Sequence, residues 1–394
     1  MSDGAGGRRA WRAIAAATAL NLPFGTLYAF SVFLAPLEAL LGVSRADLAL
    51  VFACAAAGFG GGMNLAPALY RLASTPRLVL GCAAAGTLGA MLAATAQGLA
   101  QLALGYGVLF GAAGGAGYIF VQQAVNLAIT SRHGLANGYL VSLYPAGAMI
   151  GAPVFAWAVK AAGVRATLAG LAVAIAVTGA ISAWLIAHAG VTLAGASGRV
   201  VLPESERRRS VFWRLSVVFF LAAAAGLMVL SQAAGIIAAY GGTGALAVYG
   251  TTIIAAGIAA ARVGGGWMVD WLSIPVVAAI AHGVALAGNV ALTLWPGPVL
   301  SVLCLLLVGL GYGVISGVTA AAVAVYWRRS LYGRVASRVY LAWCVAAFTL
   351  PVIAGRLFDL TQGYGTAVII AAGANLLGVV VAAGLPRQQT PQGE

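Results

Sequence analysis

Gly190–Val211 reads GVTLAGASGRVVLPESERRRSV and is the only sizeable polar interruption in the chain. Arg199, Glu204, Glu206 and the run Arg207, Arg208, Arg209 crowd into it, while long apolar runs lie on either side. With 62% hydrophobic and only 7% charged residues among 394, the chain lacks the polar surface of a soluble globule. A membrane-crossing helix needs about 20 mostly apolar residues. Breaks between the apolar runs predict helices near 11–40, 46–69, 77–97, 99–130, 134–160, 165–189, 212–240, 244–269, 272–294, 298–327, 334–359 and 363–385. The expected fold is thus an all-α membrane protein of twelve transmembrane helices in two pseudo-symmetric six-helix bundles. Residues 11–189 and 212–385 form the bundles, 190–211 a central cytoplasmic loop, 1–10 a cytoplasmic N-terminus and 386–394 a cytoplasmic tail.

The formal net charge of +13 would suggest nucleic acid in a soluble protein, but here the cations fall between apolar runs and read as topology charge. With a cytoplasmic N-terminus, the inner segments hold Arg8, Arg9, Arg12, Arg71, Arg77, Arg132, Arg328, Arg329, Arg334, Arg338 and the central arginines. The outer segments hold only Arg45, Lys160, Arg165 and Arg356, so both termini are expected in the cytoplasm of a multi-pass inner-membrane protein. Cys54, Cys82, Cys304 and Cys344 lie in apolar stretches without Cys-x-x-Cys spacing and indicate neither a disulfide framework nor a metal site. No Gly-rich phosphate loop ending in Gly-Lys-Ser/Thr, His-rich metal set or intramembrane acid pair is present, so neither an enzyme nor a cofactor is expected. The run from Trp11 to about Leu40 is too long for a cleaved signal.

The halves repeat each other weakly, as in transporters assembled from two related bundles. GAAGGAGY over Gly111–Tyr118 leads to Gly134, and GLGY over Gly309–Tyr312 leads to Gly333. Ten residues past these glycines stand Tyr144 and Trp343, and the following helices carry Pro153 and Pro351.

Arg262 is the one Lys, Arg, Asp or Glu well inside a predicted span. A charge at the centre of a membrane helix costs at least about 2.5–3.5 kcal/mol, so it needs a reason. Its planar fork matches a carboxylate, which points to an anion site facing a cavity. Snorkelling toward Asp270 and Trp271 would span eight residues, about 12 Å of helix, more than the side chain comfortably covers. Gly257, Gly264, Gly265 and Gly266 thin the helix around it, a pattern that also serves plain packing. Tyr28, Tyr118, Tyr144, Tyr312, Tyr340 and Trp343 fall within spans, not only at their ends, and offer polar contacts on rigid rings. Gln122, Gln123, Asn126, Asn21, Ser231, Gln232 and Ser316 are further polar candidates, which interhelical hydrogen bonding explains equally well. His282 is embedded in the ninth span and reads as a structural histidine, although it could carry a proton. No Asp or Glu lies deep in a span, so proton coupling would need another group.

Three passages carry a family likeness: GTLYAFSVFLAPL from Gly25 to Leu37, RHGLANG from Arg132 to Gly138 and ARVGGGWMVD from Ala261 to Asp270. In these the chain resembles the major facilitator superfamily, and within it the oxalate/formate antiporter group and its monocarboxylate transporter relatives. The resemblance implies a carboxylate held by Arg262 with aromatic neighbours at Tyr28, Tyr118, Tyr144 and Tyr312. It also implies a cytoplasmic switch at Arg132, Gly134, Gly138, Gly266 and Asp270. Three departures limit the transfer. Trp343 in YLAWC stands where the dicarboxylate exchangers have lysine; Ile258 stands where animal monocarboxylate transporters have an acid; and ALYRLASTPR from Ala68 to Arg77 lacks the Asp of the family's cytoplasmic motif between the second and third spans.

A single fixed cation suits one carboxylate, so the expectation is a secondary transporter of a small organic anion of lactate or pyruvate type. It would be a monomer working by alternating access about a midplane site. Uptake of a monoanion against the membrane potential costs about 2.3 kcal/mol per 100 mV, calling for proton symport or exchange against a counter-anion. Alternatives are a carrier of larger organic molecules, of drug or siderophore type, and a non-transporting membrane scaffold.

Overall fold

A computed structural model describes residues 3–193 and 206–387. Most of the central loop, and the tail beyond 387, lie outside the described residues. All regular structure among them is helical. In chain order the helices are α1 (Asp3–Gly25), α2 (Leu34–Leu41), α3 (Arg45–Leu69), α4 (Thr75–Ala94), α5 (Leu99–Leu102), α6 (Gly111–Ala128), α7 (His133–Ala189), α8 (Glu206–Ala239), α9 (Gly244–Val269), α10 (Ile274–Leu294), α11 (Pro298–Tyr326), α12 (Tyr332–Val339), α13 (Leu341–Ala347), α14 (Leu350–Thr361) and α15 (Gly365–Ala383).

Eleven helical stretches among the described residues are long and apolar enough to cross a membrane. One of them, α7, runs 57 residues but contains Gly163 with φ 82 and ψ 167, which no continuing helix adopts. Splitting α7 there gives the twelve spans, with the expected loop between 160 and 165 reduced to a kink. Helix α1 begins at Asp3 and α8 at Glu206, ahead of the 11 and 212 read from hydropathy. Helical hydrogen bonding runs on past the limit of the apolar run.

Two spans expected to be continuous are broken. In the first, Pro23 interrupts α1, and Thr26–Phe33 is a 3₁₀ segment before α2. The eleventh is α12, α13 and α14 end to end, with Thr349 outside the helical region and Pro351 in the first turn of α14. Proline lacks the N–H that would tie it back into the preceding turn. The fourth span has a π-helical segment, Ala103–Phe110, between α5 and α6. There Gly89 of α4 and Gly105 meet backbone to backbone, since a Cβ on either would lie within 2.7 Å of the other's carbonyl oxygen.

Helix starts are set by short polar side chains. Ser44 and Asp47 form a reciprocal capping box at α3, and Thr243 accepts from Leu246 N–H at α9. Ser74 followed by Pro76 opens α4, and Ser273 followed by Pro275 opens α10, 199 residues later. That spacing also separates Gly134 from Gly333 and Tyr144 from Trp343, so the repeat holds a constant register through this part of each half.

The chain forms two compact units. The first comprises 1–131, 143–199 and 327–337; the second comprises 132–142, 200–326 and 338–394. Each therefore includes a short stretch from the other half of the sequence. Rings fill the first unit, with Phe30 against Tyr106 at 4.8 Å and Phe24 against Phe110 at 5.2 Å. Backbone-close packing of α9 on α11 dominates the second, where a Cβ on Gly265 would fall 2.3 Å from the Val314 carbonyl oxygen. Trp157, Trp184, Trp213, Trp271 and Trp295 are exposed, as suits amphipathic rings near a membrane surface.

Candidate functional site

In the second unit Arg262 sits on α9 with 7% of its surface exposed. It does not snorkel toward Asp270. Its Nη2 donates to the Tyr312 hydroxyl on α11 at 3.0 Å and its Nη1 to the Val141 carbonyl on α7 at 3.0 Å. The guanidinium carbon lies 5.3 Å from the Tyr312 ring centroid, within cation–π range. Trp343 of α13 donates from Nε1 to the same hydroxyl at 2.9 Å. Tyr312 thus accepts from both residues and locks them into one cluster. Nε of Arg262 is buried with no hydrogen-bond partner, and among the described residues no carboxylate pairs with the guanidinium. Two hydrogen bonds and the Tyr312 ring offset part of the desolvation cost of this buried cation, and an incoming anion would offset more.

Glycines bring the Arg262 backbone into place. A Cβ on Gly138 of α7 would fall 2.7 Å from the Arg262 carbonyl oxygen, and one on Gly317 of α11 2.1 Å from it. Neither position has room for a side chain. Ser316, expected as a contact, is buried and gives its hydroxyl to the Tyr312 carbonyl one turn back. Tyr340 is buried edge-on to Phe219, 6.0 Å between centroids.

The expected switch residues also meet in this unit. Asp270, at the end of α9, accepts from Gly134 N–H at 2.8 Å and Leu135 N–H at 2.9 Å, so its charge caps the N-terminus of α7. Gly134 and Gly266 touch through their backbones, each leaving less than 2.5 Å for a Cβ against the other's carbonyl oxygen. Arg132 stands just before α7 with φ 52 and an exposed side chain. Its carbonyl accepts from Ala136 N–H.

A counterpart exists in the first unit, built from different chemistry. Arg71 lies 199 residues before Asp270, and a cation cannot cap a helix N-terminus. Gln123 of α6 takes over: its Oε1 accepts from Gly333 N–H at 2.5 Å and its Nε2 donates to the Arg329 carbonyl at 2.7 Å. Asn64 donates to the Ser337 carbonyl at 3.1 Å. The sequence offers Gln123 only as a generic polar candidate; the missing Asp was the signal that something else must cap this helix.

The remaining expected residues gather in the first unit. Tyr144 of α7 is the hub, 5.3 Å from Tyr118, 6.1 Å from Tyr28 and 5.1 Å from Phe59 by ring centroids, all near edge-on. Its hydroxyl donates to the Gly114 carbonyl at 3.1 Å. Phe59 of α3 joins this cluster without a sequence signal, because a phenylalanine in an apolar run carries no distinguishing mark. Gln122 of α6 is fully buried, and neither amide atom has a partner; the same holds for Asn21 of α1. Each unit thus gathers its own share of the expected site: Arg262, Tyr312, Trp343, Tyr340 and Ser316 in one, and Tyr28, Tyr118, Tyr144 and Gln122 in the other. No cluster of His, Cys, Asp and Glu that could hold a metal occurs among the described residues.

Solved transporters share this fold. The proton:xylose symporter XylE bound to 6-bromo-6-deoxy-D-glucose aligns over 96% of this chain and 96% of its own, with a TM-score of 0.75 at 12% identity. The E. coli fucose:proton symporter FucP aligns over 96% and 98%, with a TM-score of 0.72 at 15% identity. No curated protein matches the sequence. The family model described as Major Facilitator Superfamily matches residues 14–351. With that match spanning most of the helical chain, the protein is a member of the Major Facilitator Superfamily, a multi-pass membrane transporter and not an enzyme.

Proposed function

We propose that this transporter carries a small organic anion, a monocarboxylate of lactate or pyruvate type, with Arg262 as the group that holds the carboxylate. The observation that carries the reading is a buried guanidinium without a carboxylate partner, turned toward Tyr312 and Trp343. A lone cation neutralises one negative charge, and Trp343 fills the position where a second cation would admit a dicarboxylate. Within the first unit, Tyr28, Tyr118, Tyr144 and Gln122 form a rigid, mostly aromatic group that is a further candidate for substrate contact. Asp270 with Gly134, Gly138 and Gly266 serves as a cytoplasmic switch in alternating access. The positive-inside bias supports cytoplasmic termini and an inner-membrane location. The transporter acts as a monomer. Net import couples to a proton or to a counter-anion, since the potential opposes a monoanion by about 2.3 kcal/mol per 100 mV.

The sugar symporters similar in fold share 12–15% identity with this chain, a level that carries the architecture and no substrate. Counterflow in proteoliposomes tests the reading. Labelled lactate should exchange against internal lactate or pyruvate and not against xylose or fucose. Exchange with the sugars, or with a bulky organic ligand alone, would replace the monocarboxylate reading.

A further inference from the structure

His282 lies in the middle of α10 with its ring fully buried. Its Nδ1 stands 3.0 Å from Asn375 Oδ1 on α15, and its Nε2 stands 3.2 Å from the Val218 carbonyl oxygen on α8. The amide of Asn375 cannot be reversed without loss, because its Nδ2 already donates to the Ala371 carbonyl at 3.0 Å. Both ring nitrogens therefore face oxygens that only accept. A neutral imidazole has one N–H, so one of these contacts sets lone pair against lone pair; an imidazolium has two and satisfies both.

The internal repeat shows that helix packing does not require this arrangement. Ala83 on α4 lies 199 residues before His282, and Gly179 on α7 lies 199 before Gly378 on α15. The two pairs meet in the same way. A Cβ on Gly179 would sit 2.1 Å from the Ala83 methyl, and one on Gly378 would sit 2.3 Å from the His282 ring. The first half closes these helices with a glycine and an alanine; the second half adds a histidine and two acceptors.

Burial opposes a charge here, and among the described residues no carboxylate bonds the ring. Neither α10 nor α15 has another charged side chain among the described residues. The charges of α8 end at Arg214, which donates to the Gly384 carbonyl, and α11 contributes Cys304, Tyr312 and Tyr326, none of which bonds the ring. Stabilisation of a proton falls to the two hydrogen bonds alone.

We propose that His282 is a proton-binding site of this transporter, taking up H⁺ to give an imidazolium that donates from both ring nitrogens and ties α10 to α15 and α8 at once. This provides the membrane-embedded titratable group that the absence of intramembrane carboxylates left unfilled. It rests on the family assignment and not on the carboxylate reading.

The test is ¹⁵N NMR of histidine-labelled full-length protein in nanodiscs from pH 5 to 8.5, without substrate. The chain has three histidines. Comparison with His282→Ala, which restores the first-half pattern, assigns the signal. If that variant does not fold, the double variant His133→Gln with His188→Gln leaves His282 as the sole histidine. N–H signals on both His282 nitrogens at pH 6 or below are expected. A single N–H on one neutral tautomer across the whole range would overturn the proposal.

Discussion

Tyr312 accepts a hydrogen bond from Arg262 Nη2 at 3.0 Å while its ring lies 5.3 Å from the guanidinium carbon. One residue thus holds the cation both through its hydroxyl and through its aromatic face. The arrangement fixes the plane of the guanidinium, and a fixed plane is what two-point recognition of a carboxylate requires.

Arg262→Lys keeps the charge but loses that plane. Uptake efficiency should fall about tenfold or more with normal expression, a loss of about 1.4 kcal/mol in transition-state or substrate binding. Initial-rate uptake of labelled lactate in proteoliposomes measures it. Unchanged uptake would remove Arg262 from the site.

Tyr312→Phe leaves Arg262 Nη2 and Trp343 Nε1 without their shared acceptor. A hydrogen bond to a charged group contributes about 1.5–3 kcal/mol, so substrate affinity should weaken about tenfold to a hundredfold. A double-mutant cycle with Trp343→Phe should show coupling of about 1 kcal/mol, since both act through one oxygen. Additive losses would mean that the three residues do not work as a unit.

Trp343→Lys places a second cation beside the Tyr312 hydroxyl. Oxalate or malonate should then inhibit lactate counterflow, and should not inhibit that of the native protein. Failure to inhibit in a folded variant would contradict the argument that charge count sets the substrate class.

The two helix caps should respond differently to salt. Asp270→Asn removes a charge from the α7 N-terminus and should cost about 1 kcal/mol, part of it screened at high ionic strength. Gln123→Leu leaves Gly333 N–H and the Arg329 carbonyl unsatisfied, costing about 1–3 kcal/mol without salt dependence. Hydrogen–deuterium exchange at 133–136 and 329–334 reads each effect separately. Identical salt responses would mean that charge does not distinguish the caps.

Hydropathy made the twelve spans legible, because a membrane helix must satisfy its backbone internally and therefore needs a long apolar run. The breaks inside the first and eleventh spans were not legible: Pro23 and Pro351 mark them, yet proline is tolerated in membrane helices, and its effect depends on neighbouring turns. Arg262 stood out because a lone charge in an apolar run is expensive. The Val141 carbonyl that it bonds did not, since a backbone group has no sequence signature. Phe59 was hidden for a similar reason, and the acceptors that face His282, on α8 and α15, are far away in sequence. The grouping of 132–142 and 327–337 with the opposite halves depends on packing that no local pattern encodes.

Equilibrium binding of labelled lactate or pyruvate to the purified transporter, compared with Arg262→Gln, tests the central claim most directly. Saturable binding to the native protein that disappears in the variant, while its thermal unfolding profile without ligand is unchanged, is the predicted result. Equal binding by both proteins would contradict the assignment of the carboxylate to Arg262.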